Sequence, residues 1–476
     1  MKTYRREFKK DFLWGSATSA YQVEGAAFSY GKAASQQDIL SEKSPFCTTE
    51  TASDHYHHMA EDVKLMKELG LKTYRFSMSW PRIFPEGRGE PNPEGVKFYH
   101  QLIDALCEAG IVPIVTMYHY DLPWKLVEEY GGWLNRKIVD DFANYAAFLV
   151  KEYGDKVKHW ITINEQNIIY RMWTRKNYIP EELQKDEKLR YQMNHHYTMA
   201  HAAACRAVRA IRPDVMLSGV PAVEPAYPRT SSPADCAAAA AANMMRNYFF
   251  IDPYMKGSYP VQAMNYLEDQ GLMFRMEPGD EALMKEGCCD FLAVNYYRSV
   301  CAKACEEDAV RADTALNLYG IKGSATSFET APGLYTLCKN PLLETTDWDW
   351  PIDAEGFSYA LTDLYERYGK PMMIAENGLG ARDILTEDGR VHDDYRVAYL
   401  RKHIDALHDA VDKGVDLFAY CVWSFMDLMS TSNGYEKRYG LVYVNREDKD
   451  LKDLARIKKD SYYWYQHVIA TNGRDL

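Results

Sequence analysis

Apolar and β-branched runs, bounded by glycine or polar residues, recur at residues 12–18, 73–77, 112–117, 159–164, 216–220, 291–295, 372–376 and 417–424. Runs of this length and residue type predict buried strands. Between them, residues 60–69, 94–109, 137–153 and 393–413 carry apolar positions at three- and four-residue spacing, which predicts helices with one buried face. Eight strands alternating with helices point to an α/β chain folded as a (β/α)8 TIM barrel, whose reactive groups gather at the C-terminal strand ends. A doubly wound sheet is the rival, but no glycine-rich phosphate turn follows the first strand. No linker composition divides the chain, so residues 1–476 are expected to form a single domain. Residues 303–344 lack hydrophobic periodicity and read as a large loop after the sixth strand, whereas the alanine run 237–242 reads as helix by propensity.

Composition narrows the function classes. A hydrophobic content of 47% suffices for a large core, and most of the 10 Trp and 36 Tyr are expected to pack there. The net charge of −12 argues against nucleic acid as a partner, although one phosphate in a local cationic pocket is compatible with it. Residues 1–6 pass from charge directly into the first strand without the apolar stretch of a secretory signal. No run of about 18 apolar residues exists to span a membrane. The ten cysteines are scattered without a Cys-x-x-Cys pair, so reduced thiols in a cytoplasmic protein are expected, not a disulfide framework or a zinc site. His55, His57 and His58 resemble a metal cluster but lack acidic or cysteine partners at ligand spacing. Neither a metal nor a cofactor is expected.

Two short strings carry the chemistry: Thr162-Ile163-Asn164-Glu165 and Ile374-Ala375-Glu376-Asn377-Gly378. Each follows an apolar run and sets a carboxylate where a strand gives way to a loop, on the fourth and seventh strands. Paired carboxylates on distant strand ends are the minimum apparatus for cleaving a glycosidic bond, one protonating the leaving oxygen and the other attacking the anomeric carbon or activating water.

These strings, together with Phe12-Leu13-Trp14-Gly15-Ser16-Ala17-Thr18-Ser19-Ala20-Tyr21-Gln22-Val23-Glu24-Gly25, Tyr74-Arg75-Phe76-Ser77-Met78-Ser79-Trp80-Pro81-Arg82-Ile83, His119-Tyr120-Asp121-Leu122-Pro123, Asn295-Tyr296-Tyr297 and Lys437-Arg438-Tyr439-Gly440-Leu441-Val442-Tyr443-Val444, make the whole chain resemble the family 1 glycoside hydrolases. That is the family of β-glucosidases and phospho-β-glycosidases. The resemblance implies that Glu165 is the general acid/base and Glu376 the nucleophile of a retaining double displacement. It also puts Arg75 and Tyr296 in place to supply a charge and a hydrogen bond to Glu376. The sugar-holding residues of the family map onto Gln22, His119, Asn164 and Trp423. Gln and Asn offer both donor and acceptor to vicinal hydroxyls, and Trp stacks on the ring. Taken alone, His119 is a satisfied core histidine; its His-x-Asp-Leu-Pro setting reverses that weighting.

The chain departs from the family at two places. Gln166 stands where a proline usually follows the acid. After the eighth strand, Ser430-Thr431 occupy the place of the Glu-Trp pair with which unphosphorylated β-glucosidases hold the sugar 4- and 6-hydroxyls. A carboxylate there would repel a phosphate dianion, whereas a hydroxyl donates to one. Ser430, Lys437 and Tyr439 therefore resemble the phosphate clamp of 6-phospho-β-glycosidases, and the expected partner is a small β-glycoside carrying a 6-phosphate. The missing tryptophan at Thr431 favours the gluco configuration or tolerance of both epimers. An unphosphorylated β-glucosidase or β-galactosidase, a 6-phospho-β-galactosidase, and a catalytically silent sugar-binding barrel are the alternatives.

Overall fold

The computed structural model describes residues 6–325 and 328–476. Eight parallel strands form the barrel: Leu13–Ala17, Thr73–Ser77, Val112–Tyr118, His159–Asn164, Met216–Val220, Leu292–Asn295, Met372–Asn377 and Leu417–Trp423. In the order 5-4-3-2-1-8-7-6, each is hydrogen-bonded to its neighbour. The fifth and sixth strands close the circle through Asp290 N to Leu217 O (2.9 Å), Asn295 N to Pro221 O (2.9 Å) and Ala293 N to the Ser218 hydroxyl (3.1 Å). Almost every strand residue is buried, because the helices cover the outer face while side chains fill the inner one.

The helices form where the apolar spacing places them and start at capping residues. Pro93–Glu108 follows Asn92, whose side chain accepts from Glu94 N, and Pro93 sets the first helical φ. Ala354–Tyr368 starts at Asp353, which accepts from Gly356 N at 2.8 Å. The alanine run lies within the helix Pro233–Asn243, capped by Ser232. Among the described residues no helix is long and apolar enough to cross a membrane. All ten cysteines are free.

One expectation needs correcting. Residues 303–344 are not one large loop. Tyr335–Cys338 pairs with Val300–Lys303 and with Thr330–Ala331, and together with Ala226–Pro228 they make a four-stranded sheet. Tyr335 and Leu337 are buried and alternate with half-buried Thr336 and Cys338. An alternation of four residues is too short to register as a strand signal in sequence.

Candidate active site

A cavity of about 710 Å³ opens at the C-terminal ends of the barrel strands, and both glutamates line it. Glu165 follows the last residue of the fourth strand. It turns the chain through a left-handed φ of 46° into the helix Gln166–Arg171. Tyr120, beyond the third strand, is also left-handed, with φ 77°, and its hydroxyl donates to Glu165 Oε2. Left-handed non-glycine residues are costly by about 1–3 kcal/mol and gather at functional sites. Here two of them meet through their side chains. Asn295, the last residue of the sixth strand, donates to the other Glu165 oxygen at 3.1 Å.

Glu376 sits one residue before the end of the seventh strand, buried, where the ladder shifts register against both neighbours. The Arg75 guanidinium donates to Glu376 Oε1, to Asn164 Oδ1 (2.8 Å) and to the Thr116 hydroxyl (2.8 Å). Burial pushes the Glu376 carboxyl up, to about 7; the nearby Glu165 charge adds to the rise, while Arg75 and a tyrosine hydroxyl oppose it. Asn377 ties the strand end to both sides, donating to Tyr296 O (2.8 Å) and accepting from the Tyr420 hydroxyl (2.8 Å). Gly378 is required by close approach, since a Cβ there would lie 1.9 Å from the Trp423 carbonyl oxygen.

The hydroxyl on Glu376 belongs to Tyr297, which donates to Oε2 at 2.7 Å, and not to Tyr296 as the resemblance implied. Tyr296 points outward: its ring stacks on Phe357 (4.4 Å between centroids) and its hydroxyl donates to Asp353 O (2.6 Å). Side chains along an extended segment alternate faces. With Asn295 turned inward to Glu165, Tyr296 must face the helical layer and Tyr297 the cavity.

Gln22, His119 and Trp423 line the cavity as expected. Gln22 is held by Ser19 (2.6 Å) and by Met429 O (2.7 Å), and His119 stacks near-parallel to Trp423. Burial keeps the His119 ring neutral, with its pKa well below the usual histidine value. Asn164 is fully buried behind this wall, joining Arg75, His119 Nε2 (3.1 Å) and the Tyr120 hydroxyl (3.1 Å). The unusual Gln166 is buried as well, held by Asn194, Thr198 and Tyr254. His55, His57 and His58 do not converge; they face Asp62, Asp54 and Glu61 respectively.

Ser430, Lys437 and Tyr439 come together on the opposite wall, beyond the eighth strand. The Lys437 side chain is 2% exposed, with its ammonium 3.6 Å from the Trp350 ring centroid and 4.9 Å from that of Trp348. Among the described residues no carboxylate pairs with it. Burial, aided by the Arg298 charge, draws its pKa well below the usual lysine value. Arg438, by contrast, faces away and pairs with Asp427 at 2.8 Å. The ring contacts from Trp348 and Trp350, the Arg298 charge, and the hydroxyls of Tyr120 and Tyr297 were not singled out in the sequence. Tyr120 and Tyr297 lay inside recognised strings. The two tryptophans carried only the signal of a Trp-Asp-Trp triplet in an otherwise aperiodic stretch.

Comparison with known proteins agrees with this geometry. The family model described as Glycosyl hydrolase family 1 matches residues 4–474. The chain is 46% identical to the aryl-phospho-beta-D-glucosidase BglC of Bacillus subtilis (strain 168), covering 98% of each. It is 35% identical to the 6-phospho-beta-glucosidase AscB of Escherichia coli (strain K12), covering 98% of this chain and 99% of that one. Among solved structures, the family 1 b-glucosidase from Thermotoga maritima superposes with a TM-score of 0.87 at 33% identity, covering 100% of both chains. With its barrel and carboxylate pair, the chain belongs to glycosyl hydrolase family 1 and is a glycoside hydrolase.

Proposed function

We propose that the protein hydrolyses 6-phospho-β-glucosides with retention of configuration, its barrel serving as one catalytic domain. Glu376 is the nucleophile: Arg75 and Tyr297 both donate to it, and the guanidinium favours its ionised form. Two carboxyls this strongly coupled titrate as a pair, so one proton is shared near neutral pH, and it resides on Glu165. Glu376 attacks the anomeric carbon while Glu165 gives its proton to the leaving oxygen, which forms a glycosyl ester. Glu165, now anionic, takes a proton from water, whose oxygen attacks the same carbon and releases Glu376. Gln22, His119 and Trp423 hold the sugar ring.

The observation that carries the phosphate reading is the buried, unpaired Lys437 at the cavity wall beside Ser430 and Tyr439. A buried cation without an anion is costly. A phosphate dianion supplies the missing charge, with two hydroxyls donating to it. Several similar proteins are named as phospho-glucosidases, which supports the same substrate class. Sugar phosphates do not cross a bilayer unaided, so such a substrate is met in the cytoplasm. Nitrophenyl β-glucosides with and without a 6-phosphate test the reading. A specificity constant that favours the phosphorylated substrate by tenfold or more is expected; a ratio near one would replace it with a plain β-glucosidase, and no turnover of either with a silent sugar-binding protein.

A further inference from the structure

Lys437 is not the only buried ammonium at the cavity. Lys176 ends the helical turn Trp173–Lys176 after the fourth strand, lines the same cavity and is 3% exposed. Its carbonyl oxygen is clamped by the side-chain amides of Gln36 (2.9 Å) and Gln37 (3.0 Å), both buried, which fixes where the side chain starts. Among the described residues it has no ion-pair contact. Its ammonium instead lies 4.0 Å from the centroid of the Tyr120 ring. That tyrosine donates to Glu165 and accepts from Asn164.

An ammonium on a ring face is attracted by the ring electrons and draws them toward itself. The tyrosine hydroxyl thereby becomes a stronger donor, and a donor to a carboxylate gains most when the carboxylate is ionised. We propose that Lys176 is a positioning residue for hydrolysis, acting through Tyr120 to hold that ring and to balance the charge of Glu165 once its proton has gone to the leaving group. The proposal rests on Glu165 being the acid/base.

Charge counting along the reaction supports it. Before glycosylation Arg75 faces an anionic Glu376, and Glu165 carries the proton. After glycosylation Glu376 is an ester, Glu165 is anionic, and Arg75 is still directed at Glu376. Lys176 is the cation placed against the side chain that touches Glu165. The titratable and charged groups around it are Tyr120, His119, Glu165, Glu376 and Arg175. His119 is held neutral, Arg175 opposes the ammonium, and both carboxylates favour it. Burial draws Lys176 down to about 7, so its charge responds to the carboxylates across the working pH range.

Lys176→Met and Lys176→Arg test the proposal through pH profiles of kcat and kcat/KM on nitrophenyl 6-phosphoglucosides. Loss of a nearby cation favours the protonated form of both carboxylates, so both limbs for Lys176→Met should move up by about half a pH unit or more. The kcat should fall by roughly tenfold, a fraction of what general acid–base catalysis supplies. KM should hold within about twofold, and Lys176→Arg should restore the profile by returning a cation. A folded Lys176→Met enzyme with the wild-type profile overturns the proposal. A second measurement needs no variant: labelling of Lys176 by acetic anhydride, followed by peptide mass mapping against pH. Its midpoint should rise in enzyme trapped as the 2-deoxy-2-fluoroglucosyl 6-phosphate ester, where Glu165 is anionic; an unchanged midpoint overturns the proposal. Failure of the acid/base reading is separable, because it would appear as a Glu165→Ala enzyme indifferent to leaving group whatever Lys176 does.

Discussion

Replacing Lys437 by methionine separates what this residue does for the substrate from what it does to the fold. The change keeps a flexible chain in the Trp348–Trp350 contact and removes the charge. A charge-assisted hydrogen bond contributes about 1.5–3 kcal/mol, which corresponds to a loss of roughly 10- to 150-fold in kcat/KM for phosphorylated glycosides. The unphosphorylated analogues have nothing to lose at this position and should be turned over within about twofold of wild type by the same reasoning. Stability should move the other way. In the folded protein the lysine pKa lies well below 10.5, its unfolded reference, so the unfolded chain binds more protons between the two values. Stability therefore rises with pH across that window, and at neutral pH the lysine is a net cost in the absence of an anion. Lys437→Met should have a higher Tm than wild type at pH 7 without ligand. Its Tm should gain less from glucose 6-phosphate, because a ligand stabilises only by binding the native state. Differential scanning fluorimetry with and without that ligand, together with rates on paired substrates, checks both parts. An equal loss on neutral and phosphorylated substrates, or a lower ligand-free Tm, would refute the reasoning.

Glu376→Gln should abolish turnover while far-ultraviolet circular dichroism remains that of the wild type. Glu165→Ala should slow glycosylation much more for poor leaving groups than for activated aryl groups, as a series of aryl 6-phosphoglucosides would read in pre-steady-state rates. Tyr297→Phe removes the 2.7 Å bond to Glu376 and should lower kcat by roughly 10- to 100-fold, whereas Tyr296→Phe should leave kcat nearly intact and cost about 1 kcal/mol of stability through the lost bond to Asp353; equal kinetic effects would reverse the assignment. Because Glu376 must ionise to attack and is held near 7, kcat/KM should fall as pH drops through that region, and a profile flat down to pH 5 would contradict it.

The alternation of strands and helices was legible from the chain alone, and so were both glutamates. Thr73–Ser77, His159–Asn164 and Met216–Val220 fall where the apolar runs placed them. Burial of a strand or of a helix face repeats at a fixed period within one element, so it leaves a local trace. Glu165 and Glu376 were visible for the same reason, each standing at the end of such a run. The short strands 330–331 and 335–338 left too few repeats to be seen.

The tertiary structure alone decided which neighbours complete the site. Whether Tyr296 or Tyr297 reaches Glu376 depends on where the sixth strand stops and its alternation is handed to the loop, a one-residue matter that reverses the face of each side chain. The rings around Lys437 come from residues 348 and 350, far from it in sequence, and its lack of a counter-ion exists only after burial has removed every carboxylate from reach. Lys176 was one lysine among many in a loop until folding laid it on Tyr120. Periodicity records what one segment does with its own backbone. The state of a buried charge depends on what the rest of the chain brings beside it, and no local pattern holds that information.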